Sequence, residues 1–342
     1  MGKKGISRRK ALGILGAAAV ATSSIPATQA IQAKDRGRLV PIGMVPVHGV
    51  DPAQLKFRKK APSTQSPGSM DPMTYLENFD YGKVTRQPDG TSVREYRLAV
   101  VPLELEVATD IVFPAWTFNG NAPGPTIRAT EGDRIKLTLV NGDTRAHTVH
   151  FHGIHPADMD GVFETVPAGG SFLYDFIAKP YGVFPYHCHT LPLTKHIMKG
   201  LYGTLIIDPK TPRPPAREMV MVMNGFDVDF DNGNEFYTIN GIANYYLENP
   251  IKIRVGEKVR IYLSNMTEFD LVNSLHLHAN MFHYFPNGTM LQPSEFTDTI
   301  MLCQGQRGIL EFTYDEPGQY LFHAHQSEFA ELGWIGIFEV TP

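Results

Sequence analysis

The chain has 342 residues, enough for two domains with separate cores, and its 31 glycines, 26 prolines and 11% aromatic residues suit many short strands joined by tight turns. Its formal charge is -4, but the first thirty residues carry five of the 31 basic residues and no acidic ones, so the remainder holds 26 basic against 35 acidic residues. An acidic chain without a basic stripe excludes nucleic acid as a predicted partner.

The first thirty residues have the layout of an export signal. Basic residues at positions 8–10 precede an apolar run over residues 12–20, and small residues follow up to Ala30. The paired arginines favour the twin-arginine route, although an ordinary secretory signal has a similar layout. Because the apolar run is too short to span a bilayer comfortably, we predict a mature chain without a transmembrane segment, located in the periplasm or outside the cell.

Residues 31–93 show no clear strand or helix pattern. They are rich in proline and polar residues, a composition typical of an extended linker with little core of its own. The sequence therefore predicts an irregular N-terminal arm between the export signal and the first folded domain.

From Glu95 onward, two copies of one alternating apolar pattern follow each other. The segment at residues 116–120 reappears at residues 237–241, and later glycines and histidines recur in the same order. A repeat of this length indicates two copies of one β domain. Strand-length segments between Gly and Pro turns predict a Greek-key sandwich or barrel for each copy, over residues 94–212 and 213–342.

Eight of the 13 histidines form four His-x-His pairs, two in each predicted domain. The pairs occupy positions 150 and 152, 187 and 189, 276 and 278, and 323 and 325. Residues i and i+2 of a strand point to the same face, so each pair presents two imidazoles side by side. Eight imidazoles exceed what one metal ion binds, and they predict a cluster of several ions between domains.

A separate set of potential ligands is confined to the first copy. Cys188 lies between His187 and His189, and strand alternation directs its side chain to the opposite face from these histidines. With His147 and His196 it forms a His₂Cys set, which suits a soft metal such as copper. The residues at the corresponding positions of the second copy cannot bind copper tightly: Asn273, Ala324 and, with a less certain alignment, Phe329.

The chain has only two cysteines, Cys188 and Cys303. That number is too small for a Cys-rich structural zinc site. Because Cys188 is assigned to the metal set, we expect no disulfide between the two, and we expect Cys303 to be a free, partly buried thiol.

These motifs resemble those of the multicopper oxidases, in particular the two-domain type whose blue copper lies in the first domain. The resemblance covers residues 94–342 and depends on the following motifs: Asn119-Gly120-x-x-Pro123-Gly124-Pro125, His147-x-x-His150-x-His152-Gly153, His187-Cys188-His189 and the two histidine pairs of the second domain. It implies an all-β chain of two tandem cupredoxin-like Greek-key β-sandwich domains. It also implies a homotrimer, with each cluster built between the first domain of one chain and the second domain of its neighbour.

The resemblance further implies four copper ions per chain, with a role for each ligand. A type 1 copper would be bound by His147, Cys188 and His196, with Leu201 at the axial position in place of methionine. By the family pattern, the type 2 copper is held by His150 and His276, and the type 3 pair by His152, His187, His189, His278, His323 and His325. The implied activity is one-electron oxidation of a reductant coupled to four-electron reduction of dioxygen to water.

Two acidic residues are predicted to act near the cluster. Asp160 resembles the family's acidic residue near the type 2 copper, and Glu328 follows His325 by three residues. Carboxylates at such positions orient imidazoles and relay protons. We therefore predict catalytic roles for Asp160 and Glu328.

Two other functions fit parts of this pattern. Copper nitrite reductase resembles the chain in its two cupredoxin domains, but it has aspartate where this chain has His150 and no histidine directly after its cysteine. A non-catalytic copper or electron-transfer protein would need only the His₂Cys set, which would leave eight histidines without a role. The sequence therefore favours the oxidase over both alternatives.

The reducing substrate is left open by the sequence. Phenols, other aromatic compounds, metal ions and an electron-donor protein are all compatible with the resemblance. Lys195 and Lys199 lie close to His196 in sequence and would repel a metal cation, which favours an organic or protein donor.

Overall fold

The computed structural model describes residues 70–342. The predicted export signal at residues 1–30 and the predicted arm up to residue 69 lie outside the described residues, so both stay predictions. Within the described range, no helix is long and apolar enough to cross a membrane.

The first domain is a sandwich of two five-stranded sheets. Its strands are β1 (Phe79–Asp80), β2 (Lys83–Arg86), β3 (Ser92–Ala108), β4 (Ile111–Phe118), β5 (Thr126–Thr130), β6 (Arg134–Asn141), β7 (His150–Phe151), β8 (Ser171–Ile177), β9 (Gly182–His187) and β10 (Tyr202–Asp208). One sheet has the order β1-β5-β10-β9-β7, and the other has β2-β3-β6-β8 with β4 paired to β3. A 3₁₀ turn (Ala157–Met159) and a helix, α2 (Leu193–Met198), lie in its loops, and α1 (Pro72–Leu76) precedes it.

The second domain repeats this architecture with a six-stranded and a five-stranded sheet. Its strands are β11 (Arg217–Phe226), β12 (Phe236–Ile239), β13 (Ile251–Arg254), β14 (Val259–Asn265), β15 (Val272–Leu277), β16 (Phe282–Pro286), β17 (Glu295–Thr297), β18 (Thr299–Cys303), β19 (Arg307–Phe312), β20 (Gly318–His323) and β21 (Ile335–Thr341). The sheet orders are β12-β11-β14-β19-β16-β17 and β13-β21-β20-β15-β18. Two short helices complete the domain, α3 (Tyr245–Glu248) and α4 (Ser327–Glu331).

Strand alternation explains how each sandwich forms its core. In β6, every second residue is fully buried while its neighbours are half-buried or exposed, as at Ile135, Leu137 and Leu139. These side chains meet Phe184 and Leu205 from the opposite sheet in one apolar cluster. The alternating pattern thus turns one face of each sheet inward, and the prediction of two all-β cupredoxin-like domains is confirmed.

Part of the predicted irregular arm is folded, which corrects the expectation for residues 70–93. Helix α1 buries Tyr75 and Leu76, and Leu76 belongs to the core of the second domain. Strand β2 pairs with β3 in the first domain. The polar composition of this segment concealed these contacts, because a single buried helical turn and a solvent-exposed edge strand need few apolar residues.

A buried ionic network joins the two domains. Arg128 of β5 forms a bidentate pair with Asp208 of β10 and a 2.6 Å contact with Glu218 of β11. Glu218 also accepts hydrogen bonds from Tyr262 and Arg260 of β14. Although burial opposes it, these hydrogen bonds lower the pKa of Glu218 to about 2. The charged network therefore holds the sandwiches together at neutral pH.

Candidate metal centres

Three elements of the first domain bring the predicted His₂Cys set together. Cys188 directly follows β9 and is fully buried, with Sγ 3.1 Å from Nδ1 of His196 in α2 and 3.7 Å from Nδ1 of His147. One potential ligand atom from each residue lies within 4.8 Å of the others. A thiol and two imidazole nitrogens at this separation fit a soft metal ion such as copper.

Asp143 orients His147, a role that the sequence reasoning missed. The Nε2 of His147 lies 2.9 Å from Oδ2 of Asp143, and both side chains are buried. With a proton on Nε2, the Nδ1 atom is left free to bind a metal beside Cys188. Burial lowers the pKa of His147, and it lowers that of His196 to about 4, with the charge of His147 adding to the effect. Both rings are therefore neutral at pH 7, as metal ligation requires.

Replacing Asp143 with asparagine is expected to weaken copper binding at the Cys188 centre about tenfold or more, since the charged partner of His147 is lost. Copper retention in competition with a chelator and the energy of the visible thiolate band measure the effect. Asp175→Asn is the matched control, because Asp175 bonds Arg134 in the same domain and is not among the residues of the centre. An unchanged band and unchanged retention in Asp143→Asn would show that this carboxylate does not position His147.

Leu201 rather than Met198 belongs to the apolar cluster of Cys188. Leu201 is fully buried in the same apolar cluster as Cys188, and its carbonyl oxygen accepts a hydrogen bond from the Cys188 backbone N–H. Met198 packs instead with Phe113 and Ala115 in a different cluster. The axial position assigned to Leu201 stays a prediction.

The four predicted histidines of the first domain gather behind Cys188. His150 of β7 pairs directly with His187 of β9, and Nε2 of His152 lies 3.2 Å from Nε2 of His187. The ring of His189 lies 5.3 Å from that of His150, measured between centres. Burial lowers the pKa of His152 to about 3 and that of His187 to about 4, so these rings are neutral ligands at pH 7.

The second domain repeats this arrangement with its own four histidines. His276 of β15 pairs directly with His323 of β20, and Nε2 of His278 lies 2.8 Å from Nε2 of His323. The rings of His276 and His325 are again 5.3 Å apart. Burial lowers the pKa values of His278 and His323. The two histidine sets are therefore equivalent in strand register and similar in spacing.

The two sets remain apart within one chain. Among residues 70–342, no group of side chains close enough to share a metal ion combines histidines of both domains. The first domain groups His150, His152 and His187, and the second groups the equivalent residues at positions 276, 278 and 323. A site that uses both sets therefore requires a second chain or a large rearrangement.

The second domain has no counterpart of the His₂Cys set. The backbone hydrogen bond from Ala324 to Trp334 matches the one from Cys188 to Leu201. Counting back from Trp334, Phe329 occupies the position equivalent to His196, and its ring stacks on Tyr237 at 3.9 Å. An aromatic stack thus occupies the position where the first domain has His196.

The two predicted acidic residues have different surroundings. The Oδ1 of Asp160 lies 2.8 Å from Nε2 of His155 and 3.2 Å from Nδ1 of His150, whose Nδ1 also lies 2.8 Å from the backbone oxygen of Asp160. Glu328 lies in the first turn of α4, and its charge is one of the causes, after burial, of the raised pKa of Tyr237. Asp160 therefore contacts a predicted ligand directly and also contacts His155.

Both cysteines are free, and the expectation of no disulfide between them is confirmed. Cys303 is exposed at the end of β18, so the expectation of a partly buried thiol was wrong. Burial alternates along this strand, and Cys303 occupies an outward position next to buried Leu302.

A cavity of about 780 Å³ opens beside the Cys188 centre. Trp116 lines it, and the centre of its ring system lies 5.0 Å from that of His196 and 5.6 Å from that of His147. The buried Lys199 also lines it, with Nζ 4.6 Å from the ring centres of Phe113 and Phe230. Burial lowers the pKa of Lys199 to about 8, so the wall carries a positive charge at neutral pH.

Comparisons with known proteins agree with this geometry. Residues 105–212 match one family model described as multicopper oxidase, and residues 212–342 match a second model with the same description. A solved structure described as a multicopper oxidase is 49% identical, with a TM-score of 0.79 over 80% of this chain and 98% of that one.

Two groups of curated relatives are also similar. The copper-containing nitrite reductase of Neisseria gonorrhoeae is 26% identical over 67% of this chain, and the match spans 63% of the length of that reductase. The copper resistance protein A homolog of Pseudomonas syringae pv. tomato is 33% identical over half of this chain and 30% of its own length. Both relatives carry copper in their names.

Proposed function

The chain belongs to the multicopper oxidase family, and from this premise we propose that it oxidises an aromatic reductant in one-electron steps and reduces dioxygen to water. Copper is the metal of this family and of the related nitrite reductases. Bound by the histidines and the cysteine, copper would supply the one-electron redox chemistry that protein side chains lack.

The observation that carries the proposal is the equivalence of the two histidine sets. A mononuclear site would use three or four imidazoles, whereas this chain maintains eight in two sets with the same register and spacing. The paired ring nitrogens lie about 3 Å apart, so two protonated rings would repel each other. Neutral rings avoid this repulsion, and the neutral imidazole is the form that binds a metal ion. We propose that His150 and His276 hold the type 2 copper and that the other six hold the type 3 pair.

At the His₂Cys site, the proposed ligands of a type 1 copper are His147, Cys188 and His196. Asp143 holds the proton of His147 at Nε2, and the surrounding apolar cluster excludes water from the thiol of Cys188. Leu201 adds an aliphatic side chain where a thioether would donate electron density. We therefore propose that this site has a high reduction potential.

Asp160 is the proposed proton carrier of the site. Its carboxylate contacts Nδ1 of His150 and Nε2 of His155, so it can take up a proton from solvent and release it beside the proposed type 2 site. Glu328 is proposed as a second carrier on the side of His325, three residues away in sequence. Dioxygen reduction to water consumes four protons, and these residues offer a route for them.

We propose that each complete cluster forms between the first domain of one chain and the second domain of another. The separation of the two sets within one chain supports this arrangement. Large apolar side chains lie exposed in both domains: Phe163 and Leu191 in the first, and Leu271 and Met301 in the second. Such side chains favour burial in a chain–chain interface, and closed assembly of a head-to-tail contact yields a ring such as a trimer.

The cavity beside Trp116 supports an organic reductant rather than a metal ion. Its volume is within the range of small-molecule sites, and its wall combines aromatic and aliphatic side chains with basic ones. Arg145 and Lys195 each place a charge within 6 Å of the Trp116 ring centre, at 4.8 and 5.8 Å. Basic groups repel metal cations and attract phenolates, so a phenolic or other aromatic donor is the proposed substrate class.

Nitrite reduction is the second candidate, favoured by the similarity to the Neisseria enzyme. Such an activity would need a single metal site besides the Cys188 centre. Copper content per chain and acceptor use separate the two functions.

For the oxidase we expect about four copper ions per loaded chain, and dioxygen consumption with a phenolic donor without release of peroxide. A content of about two copper ions per chain, together with formation of nitric oxide from nitrite, would instead support nitrite reduction. A content of one copper ion per chain without turnover would support a role as an electron carrier.

A further inference from the structure

A second group of potential ligands lies in the loop between β11 and β12, separate from the cysteine and the histidines. The loop sequence places acidic residues at alternating positions 227, 229 and 231 and a fourth at position 235. One carboxylate oxygen from each of the four lies within 4.8 Å of the others: Asp227, Asp229, Asp231 and Glu235.

One carboxylate of this group is buried and incompletely satisfied. Glu235 is 3% exposed, and its Oε2 accepts a hydrogen bond of 2.7 Å from the backbone N–H of Val228. Its Oε1 is buried and has no hydrogen-bond partner within residues 70–342. Leaving such an oxygen buried without a partner is destabilising, and more so when it is charged. The position therefore points to a missing cation or donor.

The surrounding charges make the need for a cation stronger. Asp227 is 1% exposed, and burial raises the pKa of Glu235, with the charges of Asp229 and Asp227 raising it further. Within residues 70–342, no ion pair within 4.0 Å joins a lysine or arginine to any of the four acids. Lys199 is close enough for the charge of Asp227 to act on its pKa. Several negative charges thus converge on one point with this cation nearby but, within the described residues, in no ion pair with it.

We propose that this loop binds one calcium ion through Asp227, Asp229, Asp231 and Glu235. Calcium prefers six to eight oxygen ligands at about 2.3–2.6 Å, so oxygens on opposite sides of the ion are separated by about 4.6–5.2 Å. The four oxygens lie within 4.8 Å of one another, which is compatible with this size. Magnesium usually keeps several waters and binds one or two carboxylates, so a set of four carboxylates favours calcium. A copper or zinc site would instead include nitrogen or sulfur ligands.

The loop conformation is consistent with a calcium site. Acidic residues at the first, third and fifth positions also begin the calcium loop of an EF-hand. At the sixth position, where that loop needs glycine for a sharp turn, Asn232 has a φ of 75°. Backbone N–H groups of Asp231 and Asn232 donate to Asp227, which keeps its carboxylate turned into the loop.

Calcium at this point would stabilise one wall of the cavity beside the Cys188 centre. Asp227, Phe230 and Asn232 line that cavity, and the Phe230 ring lies 5.9 Å from that of Phe113, measured between centres. The ion would hold the loop that carries Phe230 and thereby fix the shape of the cavity. Its role is structural and independent of any reaction at the copper sites.

The test is titration of calcium chloride into the full, copper-loaded protein after dialysis into calcium-free buffer. Calorimetry is expected to show one saturable site per chain with a Kd at or below about 1 mM, and a rise in Tm. Magnesium chloride in the same buffer is expected to bind at least about tenfold more weakly. Equal or tighter binding of magnesium, or no saturable binding of calcium, would overturn the assignment.

Two variants and a matched control locate the site. Glu235→Gln keeps an acceptor for Val228 but removes the charge, and Asp229→Asn changes an exposed residue, so the fold is expected to tolerate it. Each should raise the Kd for calcium at least about tenfold. Asp315→Asn, at an exposed residue of the same domain, should leave the Kd unchanged. Equal Kd values in wild type and both variants, or an equal loss in the control, would contradict the proposal. Calcium binding is read directly, so the outcome does not depend on oxidase activity.

Discussion

Replacing Cys188 with serine is expected to abolish the visible thiolate absorption and to lower oxygen consumption with a phenolic donor by at least about a thousandfold. A serine hydroxyl stays protonated at neutral pH and cannot replace a thiolate as a soft ligand. The two side chains have nearly the same size, and Cys188 packs in an apolar cluster, so the fold should persist. Absorption spectra and oxygen uptake of copper-loaded protein measure both effects.

The chain provides a matched control in its second cysteine. Cys303 is exposed and is not among the residues of any candidate metal group of the described structure, so Cys303→Ser should retain both the absorption and the activity. Copper content should fall by about one ion per chain in Cys188→Ser and not at all in the control. If the blue absorption survived in Cys188→Ser, the assignment of the centre to His147, Cys188 and His196 would be wrong.

Two inactive variants are expected to restore each other's activity when they assemble together. The first replaces His150 and His152 with alanine, and the second replaces His276 and His278. Each variant alone should lose oxygen consumption by at least about a thousandfold, because one half of every histidine cluster is missing. The Cys188 centre is unchanged in both, so the visible absorption should remain.

Co-expression of the two variants distinguishes a cluster between chains from one within a chain. If each cluster combines the first domain of one chain with the second domain of another, random assembly restores about one quarter of the sites, since each half is intact with a probability of about one half. Oxygen uptake should therefore recover to about one quarter of the wild-type value. Each variant expressed under two tags without the other is the control and should stay inactive. No recovery in the mixed protein would show that the proposed arrangement between chains is wrong.

The loop proposed to bind calcium, residues 227–235, belongs to the second domain and lines the cavity beside the Cys188 centre. Phe230 extends from this loop towards Phe113 and Lys199, both of which belong to the first domain. The side chains that would contact a reductant therefore come from both domains. Substitutions in this loop are expected to change substrate binding more than they change the metal ligands.

Much of the candidate site could be predicted from residue spacing alone. His150 and His152, like His276 and His278, are two residues apart where a strand ends, and extended backbone directs such residues to one face. The same alternation separates Cys188 from His187, so that one strand end serves two centres. The histidine pairs recur at equivalent positions of the two copies, which reveals the repeated domain. The two copies differ at the His₂Cys set, which only the first contains.

Other features could not be predicted, because they depend on contacts between distant segments. Asp143 was not recognised as the partner of His147, since an acid four residues before a histidine in a loop has no fixed orientation. The burial of Tyr75 and Leu76 depends on surfaces that only the folded domains create. The acidic residues at positions 227–235 could have been noticed from their alternating spacing, but the unsatisfied oxygen of Glu235 is a property of the folded loop.

The sequence by itself determined the all-β class, the two-fold repeat and the candidate metal-binding side chains, because strand periodicity and ligand chemistry act locally. Only the tertiary structure decided which of these side chains meet, because the meeting of β7 with β9 and of β15 with β20 brings together residues 37 and 47 positions apart in the chain. It also decided that the two histidine sets stay apart within one chain. Distances between remote segments follow from packing the whole chain, which no local pattern encodes.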